Sequence, residues 1–344
     1  MNIQIINPIK YDGWDDLLLT NDKTTFFHTS AWARVLHESY NYTPLYFTLI
    51  ENERLKILLP VMEVKSFLTG SRGVSLPFTD HCPPIAENEN AFNEMFKQVI
   101  SCGKKAKWKA IDLKCCVNYL RGTTLPFETF LTHDLDVSQT DQEIFYHFRD
   151  STKRNIKKAI QNHVNVKIQK SLESVKEYYR LNCITRKAHG LPPQPFYFFK
   201  KIHEHIISQN KGFVVLTAYK NKVIAGAVFF QFVHQAIFKY GASDAKYLYL
   251  RPNNLVMWEA IKWYCQNGFK IFNYGRTELQ HKGLLQFKRG WGTEEEILNY
   301  YKYDLKENCF VPKNGGIKSS YNFFKIMPAP LLRLTGNLLY RHVG

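Results

Sequence analysis

Gln235-Ala-Ile-Phe-Lys-Tyr-Gly-Ala-Ser243, then Leu255 to Gln266, then Lys270-Ile-Phe-Asn-Tyr274 are the runs that decide the fold of this 344-residue chain. The first run, apolar and aromatic, reads as a strand. Arg251-Pro-Asn-Asn254 opens a helix, with Asn253 or Asn254 as its N-cap. Leu255 to Gln266 is apolar on nearly every side, which predicts a buried helix, and Asn267-Gly268 ends it. Lys270 to Tyr274 is the next strand. Strand, helix and strand in this order predict a right-handed crossover and a parallel pair. Ligands of open α/β sheets sit beyond the carboxyl ends of such strands. The candidate site therefore lies at Tyr240-Gly-Ala-Ser-Asp244 and Asn273-Tyr-Gly-Arg276.

Upstream, Phe213 to Tyr219 and Val223 to Val233 flank the turn Lys220-Asn-Lys222 as a hairpin, preceded by helices over 172–188 and 196–209. The first half has a similar order. Ser30 to His37 reads as a helix, and Leu45 to Ile50 pairs with Leu55 to Lys65 across Glu51-Asn-Glu-Arg54. Residues 72–85, with three prolines, read as an irregular loop; a helix over 89–103 and a strand from Lys109 to Cys115 follow. Between the halves, Thr140-Asp-Gln-Glu143 is a capping box. It opens one amphipathic helix with Phe145, Phe148, Ile156, Ala159 and Ile160 as its apolar stripe. The reading is a duplicated α/β chain with mixed sheets, divided as 1–139, 140–310 and a helical tail over 311–344.

Forty-six Lys and Arg against thirty Asp and Glu give a net charge of +16, which favours anionic partners. The seven Cys, at 82, 102, 115, 116, 183, 265 and 309, form no CxxC pair and no metal-ligand spacing, which predicts free thiols in a reducing, cytoplasmic setting. Met1 to Pro8 lacks the basic-then-apolar pattern of a secretory signal. The longest apolar runs are too short to span a bilayer.

Several segments, in order, resemble the Fem-type peptidoglycan aminoacyltransferases and relatives with a FemAB-like acetyltransferase domain. They are Ser30-Ala-Trp-Ala-Arg34, Ser151-Thr-Lys-Arg-Asn-Ile-Lys-Lys-Ala159, Thr185-Arg-Lys-Ala-His-Gly190, Tyr240-Gly-Ala-Ser243 and Gly283-Leu-Leu-Gln-Phe-Lys-Arg-Gly-Trp-Gly292. The resemblance implies a tandem duplicated GNAT-like acyl-CoA N-acyltransferase fold, with an activated acyl or aminoacyl group passing to an amine of a cell-wall or envelope precursor. It implies aminoacyl-tRNA or acyl-CoA as co-substrate, with no tightly bound cofactor and no metal. The chain departs from the pattern in two places. It has no room for the long coiled-coil arm of some members, and Arg251-Pro-Asn-Asn-Leu-Val256 stands where a GNAT pyrophosphate loop would carry glycines. That second departure puts acyl-CoA in doubt, because glycine lets backbone N–H groups approach phosphate closely.

Acyl transfer to an amine needs a deprotonated nucleophile and stabilisation of the tetrahedral oxyanion. Lys288 matches the family's Phe-Lys position and is the candidate for that stabilisation; read alone, Lys288-Arg289 is more commonly a solvated cationic pair on a surface helix, and Arg289 reads as that. Glu278 is a candidate base, or an ion-pair partner of Arg276. Tyr240 is a candidate proton donor, or a packing residue of the sheet. Arg34 and Arg186 match family positions that contact the anionic acceptor, and Arg276, Asp244 and Asp80 are assigned with them to substrate binding. Lys153, Arg154, Lys157 and Lys158 form a basic face suited to a tRNA backbone, or simply a solvated one; no DNA partner is expected. Tyr321 to Tyr340 mixes apolar and basic residues. It is either a helix docked on the domain or a peripheral contact with an anionic membrane, with Pro328 and Pro330 expected to interrupt its apolar face. The chain is expected to be monomeric. A reaction using acyl-CoA on a sugar or polysaccharide amine, and a non-catalytic polyanion-binding protein of GNAT fold, remain as alternatives.

Overall fold

The computed structural model describes residues 2–114, 118–120, 122, 124–313 and 322–344; Cys115, Cys116 and Tyr321 lie outside them. Strand β1 (Gln4–Ile6) and helix α1 (Trp14–Leu18) lead to α2 (Ser30–Tyr40), the hairpin of β2 (Thr43–Glu51) and β3 (Arg54–Val64), β4 (Arg72–Val74), α3 (Glu89–Lys105) and β5 (Ala110–Leu113). Then come β6 (Glu128–Asp136), α4 (Asp141–His147), α5 (Asp150–Gln161), β7 (Asn165–Gln169), α6 (Leu172–Ala188) and α7 (Phe196–Ile202). The chain continues through β8 (Gly212–Tyr219), β9 (Lys222–Phe232), β10 (Gln235–Ser243), α8 (Pro252–Gln266), β11 (Ile271–Asn273), β12 (Thr277–Glu278) and α9 (Lys282–Arg289). It closes with β13 (Glu294–Asp304), β14 (Cys309–Phe310), α10 (Asn322–Ile326) and α11 (Ala329–Val343).

Two compact units result. One comprises Met1–Phe130, Ile297–Ile317 and Leu339–Gly344; the other comprises Leu131–Glu296 and Lys318–Leu338. The contiguous spans 1–139, 140–310 and 311–344 read from sequence divide the chain differently. In the first unit β5 runs parallel to β4 and antiparallel to β13. In the second, β11 runs parallel to β10 and antiparallel to β6. Each short parallel strand thus takes its antiparallel neighbour from the far half of the sequence; for β5 that neighbour, β13, brings a late segment into the first unit.

The duplication is visible in the turns. Both hairpins close with two residues of positive φ, Asn52 (49°) with Glu53 (59°) and Lys220 (49°) with Asn221 (62°). Paired positive φ is the type I′ geometry whose twist matches that of the strands. In the first unit Asn88 caps α3 through Ala91 N–H at 2.9 Å. Phe92, Met95, Phe96 and Val99 recur at helical spacing and are buried against Phe47, Leu59 and Ile111. In the second unit α8 buries Val256, Ala260, Ile261 and Tyr264 among Phe213, Phe229 and Phe272. Sealing each such side chain from water contributes roughly 1.5–3 kcal/mol.

Four local expectations are corrected. Residues 72–85 are not all loop, because Arg72–Val74 pairs with β3 and β5. The single helix opened by the capping box is two, broken at Phe148 (ψ 149°) and Arg149 (ψ 143°). Arg149 N–H leaves the helical ladder there and donates to Gly290 O at 3.0 Å, and Ile160 is exposed rather than part of the buried stripe. Helix α8 is not capped by Asn253 or Asn254. It begins with Pro252 at its first position behind a left-handed Arg251 (φ 60°), and proline is favoured there because its missing N–H would be unpaired anyway. Pro328 and Pro330 do not interrupt α11 either; they lie at its start, for the same reason, and the helix runs on to Val343.

Candidate functional site at the splay of β10 and β11

Strands β10 and β11 pair for only three residues, Gln235 with Ile271, Ala236 with Phe272 and Ile237 with Asn273. Beyond them β10 shifts register between Phe238 and Tyr240, and β11 gives way to Gly275, whose φ of 67° suits glycine. A cleft of about 440 Å³ lies beside β10 there. Gly226, Ala227, Gly241 and Ala242, small residues of β9 and β10, line it from the sheet. Thr185 on α6 and His189 just past its end, Asn253, Val256 and Met257 in the first turns of α8, and His281, Leu284 and Phe287 around α9 form its walls.

The polar groups of the cleft hold one another. Thr185 Oγ donates to Ser243 O and accepts from Ser243 N–H, both at 3.0 Å. Asn253 Nδ2 donates to Ser243 Oγ at 3.3 Å. This pins the carboxyl end of β10 to α6 and to the first turn of α8. His281 Nδ1 accepts from Leu284 N–H at 3.3 Å and caps α9, which leaves Nε2 as the donor nitrogen of the ring.

Three of the residues singled out from sequence, Lys288, Asp244 and Arg186, are chain neighbours of residues that line the cleft, and Arg34 and Asp80 belong to the other unit. Lys288, next to Phe287, is only 2% exposed; its Nζ donates to Gly275 O at 2.7 Å and Arg276 O at 3.2 Å, holding the turn that leaves β11. Asp244, next to Ser243, accepts from Lys246 N–H at 3.1 Å and pairs with Lys222 at 3.4 Å. Arg186, next to Thr185, donates to Pro192 O at 3.3 Å. Glu278 and Arg276 are exposed. Tyr240 packs edge-on against Phe198 and Phe199. Arg154, Lys157 and Lys158 are exposed on α5, and Lys153 pairs with Asp150 at 3.7 Å. In the first unit, Arg34 donates to Ile9 O at 3.2 Å and the Asp80 carbonyl accepts from Tyr300 Oη at 2.6 Å. Asp244 lies just past the end of β10, where its side chain caps the following turn through Lys246 N–H. Of the polar trio, Thr185 and Ser243 stand in segments that carry the resemblance and Ser243 at the predicted strand end, whereas Asn253 reads only as a helix cap.

Beneath α9, Arg289 clamps Glu295 with two hydrogen bonds of 2.7 and 2.8 Å, which holds the Glu295 carboxyl below the usual range. Asn273 braces the same turn as Lys288, accepting from Gly275 N–H at 2.8 Å and donating to Asp134 at 2.6 Å. Glu295 Oε1 lies 3.0 Å from Nε2 of His133, which is fully buried. Burial, and then the nearby Lys288 ammonium, push the His133 pKa down to about 4. In the first unit His28, buried and bonded to Thr25 N–H and Pro83 O, is likewise lowered to about 4, burial being the main cause.

Both imidazoles are neutral when folded, while the unfolded chain protonates them below about pH 6.5. Between pH 6.5 and 4 the unfolded state binds more protons, so stability is full above that window and falls as pH drops through it. Each histidine is expected to account for on the order of 3 kcal/mol across the window. Urea unfolding of wild type and His133→Gln at pH 7 and pH 4.5 checks this; the variant should lose less stability on acidification.

With this geometry in place, residues 147–289, which include the cleft, match the family described as acetyltransferase (GNAT) domain. The chain is 27% identical over 118 residues to the lipid II:glycine glycyltransferase of Staphylococcus haemolyticus; the match covers 32% of this chain and 28% of that protein. The fold is similar to the crystal structure of FemX, with a TM-score of 0.68 at 13% identity, over 89% of this chain and 98% of the other. It is also similar to a tandem GNAT protein from the clavulanic acid biosynthesis pathway, with a TM-score of 0.57 at 6% identity, over 88% and 98%. The mixed-sheet, tandem GNAT-like fold and the likeness to FemAB-like GNAT acyltransferases are borne out. No helix among the described residues is long and apolar enough to cross a membrane.

Proposed function

We propose that the chain is a FemAB-like acyltransferase of the cytoplasm, acting as a monomer, that passes an aminoacyl group from tRNA to an amine of an anionic cell-wall or envelope precursor. The observation that carries this reading is the cleft beside β10, where that strand parts from β11, inside the segment matched to the GNAT domain. The glycyltransferase relative supports the choice of acceptor, and the basic face of Arg154, Lys157 and Lys158 supports a tRNA donor.

The opening of α8 favours tRNA over acyl-CoA. Pro252 has no N–H, and the Asn254 N–H is taken by Arg251 O at 3.1 Å, so a pyrophosphate would find few of the backbone donors that usually cradle it. In the reaction the acceptor's ammonium first loses a proton, for which His189 on the cleft wall is the candidate base. The amine then attacks the ester carbonyl carbon; a C–N bond forms, the C–O bond to the tRNA ribose breaks, and the departing oxygen takes a proton. The Nε2–H of His281 is the candidate donor to the developing oxyanion. Lys288 acts as a positioning residue through Gly275 and Arg276.

Incubation of the full chain with charged tRNAs and a muropeptide precursor tests the reading. Precursor-dependent loss of the ester-linked amino acid, with a new amide on the precursor, is expected. Absence of turnover with every charged tRNA, together with acetyl transfer from acetyl-CoA, would instead establish the CoA-dependent alternative.

A further inference from the structure

Helix α11 is docked on one side and bare on the other. Leu332 is 2% exposed, and Gly336 packs so tightly on Pro193 that an added Cβ would stand 2.0 Å from its carbonyl oxygen. The other side carries Leu331, Leu334 and Leu338 at 49, 53 and 61% exposure. The spacings i, i+3 and i+7 place all three on one helical stripe. On the preceding short helix α10, Phe323 and Ile326 are 66 and 79% exposed. Exposed apolar side chains grouped in this way mark an interaction surface rather than ordinary scatter.

Charge indicates what covers it. After Glu307 the sequence has no further carboxylate side chain, whereas Lys313, Lys318, Lys325, Arg333 and Arg341 follow. Lys325 on α10 and Arg341, three residues past Leu338, are exposed, whereas Arg333 turns to the docked side, its guanidinium 5.8 Å from the centre of the Tyr179 ring. A leucine stripe flanked by cations and free of acidic groups is the composition that settles into the headgroup region of an anionic bilayer, with the apolar face down. The prolines at the start of α11 leave that face unbroken from Leu331 to Leu338.

We infer that the exposed face of α10 and α11 is a docking surface for an anionic phospholipid membrane. This goes beyond the acyl-transfer reading and does not depend on it, because binding to lipid is measured without any substrate. The apolar residues supply depth and the cations supply preference for negative headgroups, so binding weakens as salt screens the charges.

Flotation of the full chain with phosphatidylglycerol-containing vesicles and with pure phosphatidylcholine vesicles is the test. The wild-type protein should bind the former at 0.1 M salt (roughly a 10 Å Debye length) and leave the latter. The triple variant Leu331→Ser, Leu334→Ser, Leu338→Ser should bind the anionic vesicles at least about tenfold more weakly. Its melting temperature should be unchanged, since these side chains are solvent-facing. No binding by wild type, or equal binding by the triple variant, overturns the inference. So does a concentration-dependent dimer in sedimentation that the triple variant abolishes without any vesicle binding, which would give the face to a second copy of the chain.

Discussion

Replacing Lys288 by methionine is expected to lower kcat for aminoacyl transfer on the order of a hundredfold, with a much smaller change in KM. Methionine keeps the volume of the buried side chain but removes the ammonium that ties down Gly275 O and Arg276 O. Those carbonyls belong to the turn that leaves β11 and leads to α9, three of whose neighbouring residues, His281, Leu284 and Phe287, line the cleft. Displacement of a wall by about 1 Å is enough for a hundredfold loss when reacting groups must be aligned. The small residues that line the cleft from the sheet are untouched, so binding should largely survive. Two lost charge-assisted hydrogen bonds should also cost about 2–3 kcal/mol, or about 5–10 °C in Tm for a unit of this size. Steady-state kinetics and thermal melts on the same preparation separate the two effects. A lowered Tm with kcat intact would leave Lys288 as support for the fold alone.

Trp291→Ala should be the most destabilising single change in the second unit, costing about 3–5 kcal/mol. Its indole is fully buried, meets Phe148 edge-on at 5.0 Å and Phe287 at 5.9 Å, and joins the core around Phe272 and Tyr264. Truncation would open a cavity that surrounding rings cannot refill without leaving their rotamers. Trp291→Phe should cost far less. The buried indole N–H finds no acceptor among the described residues, so its removal offsets part of the lost packing. Denaturant titration of both variants measures the difference; equal losses would show that a phenyl ring does not refill the space left by the indole.

Much of the second unit was legible because local rules agreed. Pro252 with a long apolar run, Asn267-Gly268 and the following strand specified the crossover, and the parallel pair of β10 and β11 is what they produced. The two-residue turns at Asn52-Glu53 and Lys220-Asn221 were readable from polar residues between apolar runs. Arg149 was not, since the break between α4 and α5 follows a hydrogen bond to Gly290 O, far away in sequence. Of the residues named from sequence, Arg186, Asp244 and Lys288 drew attention as charges and are chain neighbours of Thr185, Ser243 and Phe287, which line the cleft, whereas Arg34 and Asp80 fall in the other unit.

By itself the sequence determined the element types, the order of hairpin, crossover and short helix in the second half and the net charge of +16, and it pointed to the end of β10, where the cleft lies. These depend on periodicity, capping and turn residues, which act over a few positions. Tertiary structure alone decided that each short parallel strand is completed by a strand from the far half of the chain. It also decided that Lys288 is buried on two carbonyls and that α11 shows a leucine face to solvent. Each of these depends on which distant segment comes to lie against a residue, and neither spacing nor propensity carries that information.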